Sequence, residues 1–150
     1  MEPHMNIMAL IVASLIPMSM GIIYYHPKLM GQAWMSANGF TKESIGKGPG
    51  AMAYILTLVT SMMLAFFFWG WVTGGGGQDS FQVVDAKDGH SHVTFSHGLF
   101  HGLAFSLLVL FPVFASMAVF ERKSAKWAAI NLGYWSFTVM LMCGILSAWR

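Results

Sequence analysis

The 150-residue chain predicts an all-α polytopic membrane protein, with four transmembrane helices and a short interfacial helix after the first. Three observations carry this reading. The chain is 56% hydrophobic and only 9% charged, whereas a soluble domain is roughly a quarter charged. Every Asp, Glu, Lys and Arg falls outside four stretches, residues 5–25, 51–73, 95–120 and 127–149. Each stretch is as long as the about 20 apolar residues that a helix needs to cross a bilayer core, and none carries the polar stripe of a soluble core helix. The composition excludes intrinsic disorder, collagen-like repeats and a nucleic-acid-binding surface, and one domain over residues 1–150 is expected.

The first span ends at Tyr24 and Tyr25, because Pro27 lacks an amide donor and disfavours helix at His26. No Lys or Arg precedes this span and no small-residue cleavage site follows it, so it reads as a retained helix rather than a secretory signal. Pro17 inside the first helix and Pro112 inside the third each free a carbonyl one turn earlier and are expected to loosen or kink their helices. From Lys28 to Phe40, Leu29, Met30, Ala33, Trp34 and Ala37 fit one face of a short helix lying along the interface. Thr41 to Ser44 reads as a helix start, and Gly46, Gly48, Pro49 and Gly50 break the chain before the second span.

The second span closes in Phe66, Phe67, Phe68, Trp69 and Trp71, an aromatic girdle of the kind that marks a membrane boundary. Gly74 to Gly77 reads as a flexible linker, and Phe81 to Val84 as a short strand or an apolar loop anchor. The fourth span runs from Trp127 to Trp149, with Asn131 one turn inside. Gly133, Gly144 and Ser147 suit close helix contacts there, as Gly98 and Gly102 do in the third span. The lone Cys143, mid-span, reads as a small packing residue.

Lys28, Lys42, Lys47, Arg122, Lys123 and Lys126 lie in the two loops on one side, against Lys87 and Arg150 on the other. This split places those loops in the cytoplasm and both termini outside, in the periplasm if the membrane is a bacterial inner membrane.

One cluster rises above packing. His97 and His101, four residues apart, share a helix face, with His92, His90 and Asp88 as further ligands in the preceding loop. Two imidazoles at this spacing suit one zinc or copper ion. The other reading is structural: Gly98 and Gly102 form an adjoining small-residue face, so the histidines would belong to a tight helix crossing. Met5, Met8, Met18 and Met20 could form a copper path, but flexible gap-filling is the commoner use of methionine. No charged group lies within a span, which argues against an ion-coupled pump, and no nucleophile motif or paired carboxylate suggests an enzyme.

Tyr24-Tyr25-His26-Pro27, Gly31-Gln32-Ala33-Trp34-Met35 and Asn38-Gly39-Phe40-Thr41-Lys42-Glu43 resemble the first half of the bacterial membrane proteins called the domain of unknown function 1761 family. His97-Gly98, His101-Gly102, Phe120-Glu121-Arg122-Lys123-Ser124, Asn131-Leu132-Gly133-Tyr134-Trp135 and Ala148-Trp149 resemble its second half. The resemblance implies a small four-helix integral membrane protein and brings no activity with it. The functional expectation is therefore a non-enzymatic accessory or scaffolding subunit. It would be partnered by the bilayer and by other membrane subunits or itself, with no cofactor. The alternative is a zinc- or copper-binding transport or redox protein using the histidine cluster.

Overall fold

The computed structural model describes residues 5–46, 48, 50–73 and 94–149, and every regular element among them is helical. Helix α1 spans Ile7–Tyr24, α2 Gln32–Asn38, α3 Lys42–Ile45, α4 Ala51–Thr73, α5 Phe95–Phe105, α6 Phe111–Phe120 and α7 Ala125–Ala148. Helices α5 and α6 continue one into the other through a wider π-helical turn at Ser106–Leu110. Four helical spans, Ile7–Tyr24, Ala51–Thr73, Phe95–Phe120 and Ala125–Ala148, are long and apolar enough to cross a membrane.

Local chemistry sets the element ends. The Asn6 side chain accepts from the amides of Met8 and Ala9 and so caps α1. The chain leaves α1 at Tyr25, and the imidazole Nδ1 of His26 accepts from the amide of Lys28. The continuous helix expected from Lys28 to Phe40 is not formed. Pro27–Gly31 is a π-helical turn broken at Leu29 (φ −111°, ψ −113°), and regular helix begins only at Gln32. The turn is tight: a Cβ on Gly31 would collide with the carbonyl oxygen of Tyr25. Thr41 and Ser44 form a reciprocal capping box at α3, as the sequence suggests.

The two internal prolines behave differently. Pro17 is buried within an α1 that stays regular. Ahead of Pro112 the π-helical turn intervenes, with the amide of Phe111 donating to the carbonyl of Ser106, five residues back. One extra residue per turn shifts the hydrogen-bond register just where proline removes a donor.

Helix α7 is the axis of the bundle: α1, α4, α5 and α6 all pack on it, and α2 touches its N-terminal end. It is the least apolar of the four spans and the most buried. This is the expected sorting in hydrocarbon, where small and polar residues face protein and apolar ones face lipid. The main buried cluster joins Ala9, Leu10 and Ala13 of α1, Ala65, Phe68 and Val72 of α4, and Val139, Met142, Cys143 and Leu146 of α7. Two aromatics assigned to the girdle turn inward instead: Phe68 joins this cluster, and Trp69, half-buried, packs against it. Phe68 is fully buried, edge-on to Phe105 at 5.1 Å, while Phe66, Phe67 and Trp71 stay exposed.

Candidate functional site

Chemistry-bearing side chains gather at the two ends of the bundle. At the end formed by the start of α5 and the close of α4 and α7 stands the histidine pair. Thr94 caps α5 by accepting from the amide of His97, and the following turn brings the rings of His97 and His101 to 4.4 Å between centroids. Trp71 of α4 meets His101 edge-on at 6.1 Å. Among the described residues no third His, Cys, Asp or Glu joins them in a group able to hold a metal. His90 and His92 lie outside the described residues.

Immediately beside the pair, α5 crosses α7 with backbone in contact. A Cβ on Gly98 would collide with the Cys143 carbonyl, and one on Gly102 would stand 2.5 Å from the Met140 Cα. Both positions therefore require glycine for this approach. The other two glycines singled out for packing also make close contacts, but with aromatic side chains. A Cβ on Gly144 would lie 2.6 Å from the Phe95 ring, and one on Gly133 2.6 Å from the Tyr24 hydroxyl.

At the opposite end a polar and aromatic junction binds α1, α2 and α7. Tyr134, buried on α7, donates its hydroxyl to the carbonyl of Pro17 on α1 at 2.7 Å. Its ring lies 5.8 Å from that of Tyr24 and 5.0 Å from that of Tyr25. The Tyr25 hydroxyl donates to Asn131 Oδ1 at 3.4 Å, and the Asn131 amide group donates to the Trp127 carbonyl. The indole of Trp127 in turn donates to Asn38 Oδ1 of α2 at 3.1 Å, and the Asn38 amide group donates to the Trp34 carbonyl. Trp34 completes the cluster, 5.4 Å from Tyr25 and 5.5 Å from Phe40.

Reading the spans one at a time missed this junction, because it joins residues about 90 to 120 positions apart. A signal was present: polar side chains inside spans are costly unless partnered, so Asn131 and Tyr134 had to meet something across a helix interface. Chemically the junction is a set of satisfied hydrogen bonds and ring contacts, suited to fixing the angle at which α1 and α2 meet α7.

Four helical spans of membrane length, three of them packed on the fourth, with these two clusters at opposite ends, give the architecture of a helical multi-pass membrane protein. The chain belongs to the family described as "Protein of unknown function (DUF1761)", whose model matches residues 8–147. No curated protein matches the chain, and no solved structure does.

Proposed function

We propose that the protein is a non-enzymatic accessory or scaffolding subunit of a membrane protein complex, acting through contacts buried in lipid. One observation carries the reading. The first ten residues of α4, Ala51–Thr60, are all exposed, although they belong to a span of membrane length; α4 is buried only further along, at Ser61, Ala65, Phe68, Val72 and Thr73. On the uncovered half, Ala53, Thr57 and Thr60 recur at helical spacing. The Thr57 and Thr60 hydroxyls donate to the carbonyls of Ala53 and Leu56, so this face carries no unmet polar group. Small residues with internally satisfied hydroxyls suit the approach of another membrane helix.

Extraction from native membranes in mild detergent tests the proposal. The wild type should migrate as a complex, and Thr57→Leu with Thr60→Leu should release it as a monomer of unchanged thermal stability. Recovery of the wild type solely as an isolated monomer overturns the reading. The setting proposed is a bacterial inner membrane with both termini outside, supported by the six-to-two division of Lys and Arg between the two sides.

A second reading, zinc or copper binding for transport or redox work, is favoured by the facing rings of His97 and His101. Elemental analysis separates the two. Stoichiometric metal in the wild type, lost in the His97→Ala, His101→Ala double variant, establishes this second reading, and metal-free preparations of both remove it.

A further inference from the structure

Where α5 lies against α7 through two glycines, α6 stands off from it, and the space between α6 and α7 is an open groove of about 440 Å³. Its size falls in the range of about 300–1,000 Å³ typical of small-molecule sites. The walls are apolar throughout: Phe111, Phe114, Ala115, Ala118 and Val119 from α6, Ala128, Ala129 and Leu132 from α7. The five alanines at 115, 118, 125, 128 and 129 explain why neighbouring helices joined by a short turn leave space between them. At one end, beside Ala125, the lining changes character at its one charged residue, Lys123.

That end is built to hold positive charge. Glu121, Arg122 and Lys123 follow the end of α6, and the Lys123 amide donates to the Ala118 carbonyl at 2.9 Å, which ties Lys123 back to the groove wall. The turn places Arg122 in the left-handed region (φ 54°), a position where glycine is the usual residue and a side chain costs about 1–2 kcal/mol. A side chain is thus held where glycine would be easier. Lys126 follows in the first turn of α7, and the three cations and Glu121 are all exposed. The N-terminus of α7, with its positive dipole end, follows directly after Lys123, and the Ser124 hydroxyl there caps it by accepting from the amide of Trp127. An apolar groove between two spans that ends at Lys123 is complementary to a hydrocarbon chain carrying a phosphate of net negative charge.

We infer that the α6–α7 groove binds one acyl chain of an anionic phospholipid, with the phosphate seated at Lys123 and the start of α7. The site is independent of the proposed scaffolding face, which lies on α4. The helix ends at Phe120 and Ala125 place Lys123 at the boundary of two spans, the depth at which a headgroup sits.

Native mass spectrometry of the whole protein in mild detergent, titrated with dioleoyl phosphatidylglycerol or dioleoyl phosphatidylcholine, tests the inference. Phosphatidylglycerol should bind more tightly than phosphatidylcholine, and Lys123→Gln, an exposed change that leaves the packing alone, should lower its affinity about fivefold. Lys28→Gln, a surface cation at the same end of the bundle, should change nothing. Ala118→Leu, which fills the groove, should displace the lipid while every charge stays in place, and glycerol 3-phosphate without acyl chains should not compete. Equal retention of the two lipids, an unchanged Lys123→Gln, or competition by glycerol 3-phosphate overturns the site. So does a protein dimer that Ala118→Leu dissociates, since the groove would then hold a second copy of the chain.

Discussion

Tyr134 on the central helix donates its hydroxyl to the backbone carbonyl of Pro17 on the first helix, at 2.7 Å and across 117 residues of sequence. The bond lies within the span, out of reach of bulk water, and it marks the place where two helices and the junction above them are held in register. Replacing Tyr134 with Phe keeps the ring and removes only the donor. Hydrogen bonds between membrane helices contribute about 0.6 kcal/mol on average and about 1.7 at most. The expected result is a loss in that range, read as a lowered thermal midpoint in detergent with unchanged helix content.

The glycines of the third span make a sharper contrast. Gly102→Ala places a methyl group 2.5 Å from the Met140 Cα, and Gly98→Ala drives one into the Cys143 carbonyl. Backbone cannot move aside as a side chain can, so each should destabilise by about 1–3 kcal/mol. Gly70, on α4, has nothing within 4 Å of its Cβ position. There the same substitution should be neutral or stabilise by up to about 1 kcal/mol through helix propensity alone. Equal effects at Gly70 and Gly102 in a thermal-shift series would contradict the close crossing.

Helix α2 is held to the bundle through the bond from Trp127 to Asn38 and through the rings around Trp34. Asn38→Ala removes the acceptor and the amide group that steadies the Trp34 carbonyl. Faster proteolysis or hydrogen exchange confined to residues 32–46, with the spans unaffected, is the expected outcome. Protection identical to wild type would show that ring packing alone holds the segment.

At Arg122 the backbone conformation favours glycine. Arg122→Gly should therefore raise the thermal midpoint, by an amount corresponding to about 1 kcal/mol, although a surface charge is lost. A lowered midpoint would mean that the arginine side chain contributes more than its conformation costs.

Reporter fusions test the orientation proposed from charge. Alkaline phosphatase joined after Arg150 should be active, and the same reporter joined after Lys123 inactive. The reverse pattern would place the cationic loops outside.

The four spans were legible because each is a local property: uninterrupted apolar length is countable along the chain, and hydrocarbon tolerates only segments that satisfy their own backbone. The cap at Thr41 and the halt before Pro27 were legible for the same reason, since they depend on neighbours within one turn. The facing of His97 and His101 also followed from spacing on one helix. Side-chain partners across helices did not. Phe68 looked like its aromatic neighbours, and Phe105 of α5 meets the rings of both Phe67 and Phe68; only packing against α1 and α7 buries Phe68. The helix expected from Lys28 is broken at Leu29, in a turn where Gly31 approaches the Tyr25 carbonyl, a contact that no periodicity encodes. Which span would be central, which glycines would touch backbone, and that Pro17, Tyr25, Asn38, Trp127, Asn131 and Tyr134 would form one junction were decided by tertiary packing. Periodicity assigns a residue to a face of its own helix, whereas the helix that comes to lie against that face depends on how all four pack together.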